Sequence, residues 1–287
     1  MLSLVIPAYN EEQAIAETIR TARSVLEAAN LVPHEIVVVD DGSRDQTAAR
    51  AREAGAEVVS HVENFGYGRS LKDGIAAAQY DTIAISDADG TYPLSEIPTL
   101  LEKYKAGFDM VVGARTGKHY RESLLKSPMR KILQWLVEFT AGRSIPDINS
   151  GLRIFSRDMI KPYYRHLCDT FSFTTSATLA YMMTGRSVAY VPISYGERVG
   201  KSKVRLFRDS MRTLQYIVEA IAYYNPLKLF LICSWACVAF AVALIPFAIV
   251  FRIATLFMLS AGTLLVAMLI FSMGLLAILL KQIMDNK

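Results

Sequence analysis

The sequence contains few of the residues that build disulfide frameworks or metal centres. It has only three Cys and four His among 287 residues. Cys168 stands alone, and Cys233 and Cys237 lie inside one apolar run, so the sequence predicts neither a disulfide framework nor a zinc site. This cysteine usage is compatible with a reducing cytoplasm. The His residues show no ligand spacing, so we expect surface or internally hydrogen-bonded side chains at His34, His61, His119 and His166.

Common nucleotide-binding and targeting signatures are also missing. A Gly-x-Gly-x-x-Gly fingerprint does not follow the first predicted strand, and a Gly-x-x-x-x-Gly-Lys phosphate loop does not occur. The N-terminus has neither a basic stretch nor a long apolar segment, so we expect no signal peptide. The formal net charge of +4 is modest, and we therefore expect no nucleic-acid partner.

Apolar residues make up 52% of the chain, and the excess lies near its end. Residues 229–251 and 253–280 carry no charge, and each segment exceeds the roughly 20 residues that cross a bilayer. Only Arg252 and its neighbours separate them, so residues 227–287 are predicted to form a transmembrane hairpin with spans at about 229–251 and 254–280. Pro246 predicts a kink in the first span. Buried helices of a soluble protein are the alternative.

Basic residues flank the outer ends of this predicted hairpin. Arg208, Arg212 and Lys228 precede it and Lys281 ends it, whereas the turn has one Arg. The positive-inside rule therefore predicts that both termini, and the domain before the hairpin, lie in the cytoplasm. Residues 206–226 have an amphipathic pattern that Asn225-Pro226 interrupts, which predicts a juxtamembrane helix.

Residues 1–205 alternate between short apolar runs and helical patterns and are predicted to form one α/β domain. Continuous apolar strands of this kind predict a parallel sheet covered on both faces. We expect strands at 2–6, 35–39, 56–60, 83–85, 109–113 and 187–193, with another after the loop at 147–155. Asn10 is expected to cap the first helix. Residues 121–142 form a basic amphipathic pattern that fits either a membrane-surface helix or a core-facing helix.

Polar side chains follow four of the predicted strands, at 7–11, 40–43, 87–89 and 113–115. Because the carboxyl ends of parallel strands meet at one edge, these residues are expected to lie close together. Asp87 and Asp89 could hold a divalent cation with the diphosphate it carries, and hard oxygen ligands favour Mg²⁺ or Mn²⁺. Taken alone, an Asp-x-Asp pair fits a simple turn better than a cation site.

Taken together, these motifs resemble those of family 2 glycosyltransferases with the A-type nucleotide-sugar fold. The motifs are Val5-Ile-Pro-Ala-Tyr-Asn-Glu-Glu12, Val37-Val-Val-Asp-Asp-Gly-Ser43, Asn64-Phe-Gly-Tyr-Gly68 and Asp87-Ala-Asp89. Two later segments are similar to the polyprenyl-phosphate branch, which includes dolichol-phosphate mannose synthase and bacterial undecaprenyl-phosphate glycosyltransferases. These segments are Asn149-Ser-Gly-Leu-Arg153 and Arg198-Val-Gly-Lys-Ser-Lys203. The resemblance covers residues 1 to about 205.

The resemblance implies a role for individual residues. Catalysis falls to Asp89, Asp87 and Arg198, and the first two would also ligate Mg²⁺ or Mn²⁺. The nucleotide would contact Pro7, Tyr9, Glu11, Val39, Asp40, Asp41, Asp87, Ala88 and Lys203, with Asp40 on the base. The acceptor phosphate would contact Arg115, Arg130, Asn149 and Ser150. Thr91 departs from the Gln found in many members, which puts the outer part of the metal site in doubt.

The function implied is inverting transfer of one sugar from a nucleotide-diphosphate sugar to a polyprenyl phosphate, undecaprenyl or dolichyl, at the cytoplasmic membrane face. A Gln-x-x-Arg-Trp motif, expected of processive synthases, is absent, which favours transfer of a single sugar. A lipid phosphate is already ionised near neutral pH, so we expect no dedicated catalytic base. The base and sugar of the donor stay open between UDP- and GDP-sugars, and a homo-oligomer is possible.

Several alternatives remain at this point. The same fold could act on a diacylglycerol or a lipid-linked saccharide. A membrane carrier fits less well, because the spans have no internal charge. A non-catalytic nucleotide-sugar sensor is the third alternative. Arg115 and Arg130 could be surface charges, and Lys201, Lys203 and Arg205 could only face anionic lipid.

Overall fold

The computed structural model describes residues 1–116, 127–196 and 206–285. The chain divides into two compact units, Met1–Ile217 and Val218–Lys287. The first unit contains the α/β domain, and the second contains two long apolar helices. The finer division at residues 205 and 226 stays a prediction.

A seven-stranded sheet forms the centre of the first unit. Its strands are β1 (Leu2–Ala8), β2 (His34–Asp40), β3 (Glu57–Ser60), β4 (Thr82–Ile85), β5 (Met110–Thr116), β6 (Arg153–Ser156) and β7 (Val188–Ser194). Their order across the sheet is β3-β2-β1-β4-β6-β5-β7. The strands β1, β2 and β4 have buried, continuously apolar centres, as expected for strands covered on both faces.

The sheet is mixed, because β6 runs antiparallel to both β4 and β5. The prediction of a wholly parallel sheet is therefore wrong at this one strand. The physical reason lies in the segment before β6: the backbone N–H of Arg115, at the carboxyl end of β5, donates to Asp147 at 3.1 Å. The chain thus re-enters the sheet at its carboxyl edge, and a strand that starts at this edge must run back against its neighbours.

Helices cover the sheet and connect its strands. In the first unit they are α1 (Ile15–Ala28), α2 (Thr47–Glu53), α3 (Tyr67–Ala77), α4 (Ile97–Lys105), α5 (Ser127–Ala141), α6 (Arg157–Ile160) and α7 (Phe173–Met183), with 3₁₀ turns at Leu94–Glu96 and Lys161–His166. The helix α8 (Leu206–Tyr224) continues past Ile217 into the second unit. Ile15, Ile19, Ala22 and Leu26 form the buried stripe of α1. Burying a side chain of the size of Ile or Leu contributes about 1.5–3 kcal/mol.

Close packing of α3 on the sheet depends on one glycine. A Cβ added to Gly74 would lie 2.5 Å from Cγ1 of Val5 and 2.7 Å from Cγ2 of Val39. The helix axis therefore approaches β1 and β2 more closely than any larger residue allows. This contact places the first residue of α3, Tyr67, at the carboxyl edge of the sheet.

The second unit contains α9 (Pro226–Phe251) and α10 (Ala254–Asp285), which pack against each other. The turn between them has Arg252 in the left-handed region, with a φ of 53°. Hydroxyl-to-carbonyl hydrogen bonds of 2.9 Å join Ser234 to Ala267 and Ser260 to Ala241. The helix α9 continues through Pro246.

Both helices are long and apolar enough to be candidate membrane spans, at Pro226–Phe251 and Ala254–Ile283. Their large apolar side chains point outward; Trp235 and Leu265, for example, are 68% and 64% exposed. The alternative of buried helices in a soluble core does not fit this exposure, because soluble proteins rarely expose such large apolar surfaces.

Candidate functional site

The carboxyl ends of β1, β2 and β4 meet, as the sequence predicts for the motif residues. Ala8 is opposite Asp40 in the register of β1 and β2, and the backbone N–H of Asp41 donates to the carbonyl of Ala8 at 2.9 Å. On the other side, the N–H of Ser86 donates to the carbonyl of Val5 at 3.2 Å. The segments after the three strands therefore lie beside one another.

Hydrogen bonds join the loop after β1 to the loop after β2. The backbone N–H of Asn10 donates to Oγ of Ser43 at 2.9 Å, and the N–H of Arg44 donates to Oδ1 of Asn10 at 2.8 Å. The N–H of Glu11 donates to Oγ1 of Thr47 at 2.8 Å. The prediction that Asn10 caps α1 is wrong, because the N-cap is Ala14. Asn10 has a φ of 51° and links the two motif loops instead.

The two acids at the end of β2 have different environments. The buried Asp41 accepts hydrogen bonds from the backbone N–H groups of Phe65 and Gly66, both at 2.9 Å, and from Nδ1 of His61 at 2.8 Å. Its carboxylate therefore holds the turn that precedes α3. Asp40 is only 6% exposed, and among the described residues its Oδ1 has no hydrogen-bond partner. A buried carboxylate oxygen without a partner is unfavourable, so this atom is suited to a ligand donor.

His61 lies between two carboxylates and is internally bonded, as expected. Besides its hydrogen bond to Asp41, its Nε2 lies 3.2 Å from Oδ2 of Asp73. Its ring also contacts Phe65 edge-on, with 5.3 Å between ring centroids.

The glycines before α3 allow a second segment to approach its first turn. A Cβ on Gly66 would lie 2.7 Å from the carbonyl oxygen of Asp169, and one on Gly68 would lie 2.1 Å from that of Cys168. The N–H of Arg69 donates to the carbonyl of Asp169 at 2.9 Å. Gly66 also has a φ of 104°, a backbone conformation that glycine adopts readily and other residues rarely adopt. Gly66 and Gly68 thus allow the segment at 168–171 to pack against the first turn of α3.

Asp87 and Asp89 follow β4, and each is held by a hydroxyl group. The Tyr67 hydroxyl donates to Oδ1 of Asp87 at 2.9 Å. The hydroxyl and backbone N–H of Thr91 both donate to Oδ1 of Asp89, at 2.6 and 3.2 Å. Burial and the charge of Asp87 raise the pKa of Tyr67 well above its usual value, so this phenol stays a neutral donor.

Other motif residues line this edge. Pro7 and Val39 are opposite each other in β1 and β2, and both are buried. Ala88 is 3% exposed, and its carbonyl accepts from the hydroxyl of Thr18 at 3.1 Å. Tyr9 is half-buried directly after β1. These placements bring the predicted nucleotide-binding residues of the first 89 positions together.

Arg115 forms a two-point ion pair with Asp147. Its Nε lies 2.7 Å from Oδ2, and its Nη2 lies 2.9 Å from Oδ1. The Arg115 side chain is 15% exposed and that of Asp147 is 1% exposed, so the surface-charge alternative for Arg115 is wrong. Burial tends to raise the pKa of Asp147, but the hydrogen bonds and charge of Arg115 outweigh it and lower the pKa. The guanidinium also lies 5.3 Å from the centroid of the Tyr195 ring.

The segment at 147–153 is held by polar groups inside the domain. The hydroxyl of Ser150 donates to the carbonyl of Gly113 at 2.5 Å, and Oδ1 of the exposed Asn149 accepts from Thr175 at 2.7 Å. Arg153 is fully buried and donates to the carbonyls of Ser150 and Ile148, at 2.7 and 3.1 Å. Burial lowers the pKa of Arg153. The Ser150 hydroxyl is thus used in a hydrogen bond inside the domain, whereas Asn149 is exposed at the surface.

Three functionally placed residues were missed from the sequence. Tyr67 and Asp147 contact motif residues that are distant along the chain, so no local spacing indicates these contacts. Arg153 bonds the carbonyl of Ser150 only three residues away, and the one available signal was its charge at the start of the short strand β6. Arg198 and Lys203 lie outside the described residues. Arg130 lies in α5, and its role stays a prediction.

The carboxylates at this edge suit a divalent cation that brings further ligands with it. Within the described residues, no group of three or more His, Cys, Asp or Glu side chains could hold a metal ion by itself. Asp87 and Asp89 supply carboxylate oxygens close in sequence at one edge. Mg²⁺ commonly binds through one or two carboxylates together with substrate phosphates. The residues therefore fit a cation that arrives with a diphosphate.

Comparisons with known proteins agree with this arrangement. The model of the family "Glycosyl transferase family 2" matches residues 3–164. The undecaprenyl-phosphate 4-deoxy-4-formamido-L-arabinose transferase of Salmonella choleraesuis (strain SC-B67) is 30% identical over 236 residues, covering 79% of this chain and 69% of the relative. The protein of that name from Salmonella newport (strain SL254) has the same identity and coverage.

Solved structures share the fold. Glucosyl-3-phosphoglycerate synthase from Mycobacterium tuberculosis, in complex with Mn²⁺, UDP and glucosyl-3-phosphoglycerate, has a TM-score of 0.63 at 22% identity and covers 77% of this chain and 79% of its own. The same enzyme with Mg²⁺ and UDP has a TM-score of 0.62 at 21% identity and the same coverage. The predicted A-type fold is therefore confirmed. With the family match spanning residues 3–164 and a relative at 30% identity, this chain belongs to glycosyl transferase family 2.

Proposed function

We propose that the protein transfers one sugar, with inversion, from a nucleotide-diphosphate sugar to a polyprenyl phosphate. The observation that carries this proposal is the sheet edge at which β1 separates Asp40, at the end of β2, from the end of β4, which leads into Asp87 and Asp89. Among the described residues, the buried Oδ1 of Asp40 has no hydrogen-bond partner. The relatives named undecaprenyl-phosphate 4-deoxy-4-formamido-L-arabinose transferase support a polyprenyl-phosphate acceptor. The two candidate membrane spans suit an enzyme whose acceptor is a lipid.

The nucleotide is proposed to bind across the ends of β1 and β2. The Asp40 carboxylate accepts a hydrogen bond from the base, while Pro7, Tyr9, Glu11 and Val39 line the pocket. Asp41 acts indirectly in this proposal, because its carboxylate holds the N–H groups of Phe65 and Gly66. A carboxylate can accept from the ring N–H of either uracil or guanine, so the donor is a UDP- or a GDP-sugar.

The donor diphosphate is proposed to lie beside Asp87, Ala88 and Asp89. Mg²⁺ or Mn²⁺ would be held by Asp89 and Asp87, and would neutralise charge on the leaving diphosphate. The hydroxyl groups of Tyr67 and Thr91 orient these two carboxylates. Arg198 and Lys203 are proposed to add positive charge to the same leaving group.

In the transfer step, an oxygen of the lipid phosphate attacks the anomeric carbon of the sugar. The new carbon–oxygen bond forms as the bond to the β-phosphate oxygen breaks, and the electron pair leaves with the nucleoside diphosphate. Because the second pKa of a phosphate monoester is about 6, the nucleophile is already ionised and needs no protein base. Arg115, Arg130, Asn149 and Ser150 are the proposed acceptor residues.

Among those acceptor residues, the contacts favour an indirect role for two. The Ser150 hydroxyl is bound to the carbonyl of Gly113, and Arg115 is paired with Asp147. The Asp147 charge offsets much of the attraction that Arg115 exerts on an anion. We therefore assign Ser150 and Arg115 to shaping the acceptor side, and Asn149 and Arg130 to contact with the phosphate.

The catalytic unit is proposed to lie at the cytoplasmic face of the membrane, with both termini on that side. In α5, Val137 and Thr140 are buried, whereas Trp135 and Phe139 are 56% and 37% exposed and stack at 5.6 Å. One face of α5 thus packs on the domain. The exposed aromatic pair is suited to the interface between headgroups and acyl chains.

The full-length protein in nanodiscs tests this function. A panel of UDP- and GDP-sugars with Mn²⁺ would be offered with undecaprenyl phosphate, diacylglycerol or a lipid-linked saccharide as the acceptor. Labelled sugar on undecaprenyl phosphate, with inverted configuration, is the expected result. Transfer only to another acceptor would contradict the lipid assignment, and binding of the donor without any transfer would favour a sensor.

A further inference from the structure

Asp87 has a defined neighbour on one side in the phenol of Tyr67. The Tyr67 hydroxyl donates to Oδ1 of Asp87 at 2.9 Å across 20 positions of sequence. Tyr67 is the first residue of α3 and is half-buried. A carboxylate has only acceptor atoms, so the phenol is the donor in this hydrogen bond.

The position of the phenol is also fixed by contacts other than its hydrogen bond to Asp87. Its ring stacks on that of Phe171, with centroids 5.9 Å apart and planes 19° from parallel. The residue before it, Gly66, donates its N–H to Asp41 at 2.9 Å, and Arg69 in the first turn donates its N–H to Asp169. Tyr67 is thus held by the same turn that Asp41 organises at the end of β2.

Backbone also approaches the Asp87 carboxylate closely, at Gly151. A Cβ added to Gly151 would lie 2.7 Å from Oδ1 of Asp87, which is closer than real Cβ contacts. Gly151 is itself fixed, because its N–H donates to the hydroxyl of the buried Tyr92 at 2.7 Å. Oδ1 of Asp87 therefore accepts from the Tyr67 hydroxyl and also lies against the backbone of Gly151, which leaves no room there for a side chain.

We propose that Tyr67 is a positioning residue for the donor diphosphate, and that it acts by fixing the Asp87 carboxylate against Gly151. This inference rests on the proposed function, in which Asp87 contacts the donor and its cation. Gly66 bonds Asp41, and the next residue, Tyr67, bonds Asp87. These two hydrogen bonds connect the base end of the proposed donor site to its diphosphate end. Loss of the Tyr67 hydroxyl leaves the ring stacked on Phe171 but removes one of the contacts that orient the carboxylate.

The test is the effect of Mn²⁺ on nucleotide binding by the full-length protein. Calorimetry would measure the affinity for UDP and for GDP, with Mn²⁺ and with a chelator, for the native protein and for Tyr67→Phe. We expect Tyr67→Phe to weaken the Mn²⁺-dependent binding of the preferred nucleotide about 10-fold to 100-fold, as for a lost hydrogen bond to a charged group. Binding in chelator should change little, because the base contacts are intact.

Tyr163→Phe is the matched control, because its hydroxyl shares a 2.8 Å hydrogen bond with Thr184 and lies outside the site. It should leave both affinities unchanged. Gly151→Ala is a second variant that disturbs Asp87 without changing Tyr67, because the added Cβ would lie 2.7 Å from Oδ1, and it should also reduce the gain from Mn²⁺. It keeps the inference testable if Tyr67→Phe does not fold.

The variant Asp87→Asn distinguishes a failure of the positioning role of Tyr67 from a failure of the proposed function. If Asp87→Asn loses the gain from Mn²⁺ while Tyr67→Phe and Gly151→Ala keep it, the positioning role is wrong and the proposed function stands. If Asp87→Asn itself binds like the native protein, or neither nucleotide binds the native protein, the proposed donor site is wrong and the inference falls with it.

Discussion

The hydroxyl of Thr91 and the carboxylate of Asp89 are joined by a 2.6 Å hydrogen bond, and the Thr91 backbone N–H donates to the same oxygen at 3.2 Å. Both residues are almost fully buried. The family resemblance of the motifs predicts Gln at this position, and this chain has the shorter Thr. In this chain Thr91 orients the second acid directly, which gives the substitution a physical role.

Removing this hydroxyl should weaken the site without removing either acid. Thr91→Val keeps the shape of the side chain but leaves Asp89 with one donor fewer. Loss of a partner behind a metal ligand typically reduces metal affinity or activity 10-fold to 100-fold, and we expect a rise of about 10-fold in the Mn²⁺ concentration that half-saturates transfer. Thr91→Ser should restore the native value. A Thr91→Val enzyme with native Mn²⁺ dependence would contradict the role.

Asp89→Asn should abolish transfer while the fold stays intact. The substitution removes the charge that holds the cation, and we expect transfer to fall at least about 100-fold. Sugar transfer to undecaprenyl phosphate measures the effect, and thermal unfolding checks the fold. Glu102→Gln on the exposed side of α4 makes the same chemical change outside the site and should retain activity. Full activity of Asp89→Asn would remove Asp89 from the metal site.

Much of the fold could be predicted from the sequence, because the apolar runs before each motif are themselves the strands. The strands β1, β2 and β4 are buried on both faces, so a continuous run of apolar residues was sufficient to predict each of them. The direction of β6 could not be predicted in this way. It depends on the return of the chain to the carboxyl edge near Asp147, which is a tertiary contact with Arg115.

The placement of candidate site residues could be predicted where they directly follow a strand, but not where it depends on distant partners. Asp87 and Asp89 follow an apolar run, so their place at the carboxyl edge could be predicted, whereas their roles stay a prediction. Tyr67 was seen only as part of a glycine-bearing turn, although its hydroxyl reaches Asp87. The sequence suggests Asp41 as a direct nucleotide contact, but it does not show that the Asp41 carboxylate accepts hydrogen bonds from Phe65 and Gly66, which lie more than 20 residues away.

Breaking the pair of Arg115 and Asp147 should destabilise the first unit. Arg115→Met leaves the carboxylate of Asp147 buried without its cation, which costs about 3 kcal/mol or more and lowers the unfolding temperature by roughly 6–12 °C. Replacing both residues, as in Arg115→Met with Asp147→Leu, should recover part of the loss. Thermal unfolding in detergent measures both, and an additive double variant would contradict a direct pair.

The same pair predicts the acid sensitivity of the fold. Because the folded-state pKa of Asp147 is lowered, its contribution is fully present above the unfolded-state value of about 3.9 and is lost as pH falls through the lower folded value. Below about pH 5, the unfolding temperature of the native protein should therefore fall more steeply than that of Asp147→Asn. Parallel profiles for the two proteins would show that Asp147 does not contribute in this way.

The exposed face of α5 should contact lipid. The sequence has only two Trp residues, so Trp235→Phe leaves Trp135 as the single fluorophore. In nanodiscs that contain brominated phospholipid, Trp135 emission should be quenched most by bromine near the headgroups. The complementary variant Trp135→Phe reports Trp235 in the candidate span α9, where bromine deeper in the acyl chains should quench more strongly. Quenching of Trp135 by aqueous iodide but not by brominated lipid would place α5 away from the membrane.

Substitutions of Asp40 and Asp41 should have different effects, although the two residues are adjacent and both buried. Loss of Asp40 should weaken nucleotide binding, and loss of Asp41 should lower the stability of the fold. Asp40→Ala removes a carboxylate whose Oδ1 has no partner among the described residues, so the ligand-free protein should be as stable as the native one or more stable. Its affinity for the nucleotide should fall about 10-fold to 100-fold, because a hydrogen bond to a charged group is lost. Asp41→Ala removes the acceptor for Phe65 and Gly66 and should lower the unfolding temperature. Thermal unfolding with and without UDP or GDP distinguishes the two, and loss of stability in Asp40→Ala would show that Asp40 serves the fold and not the base.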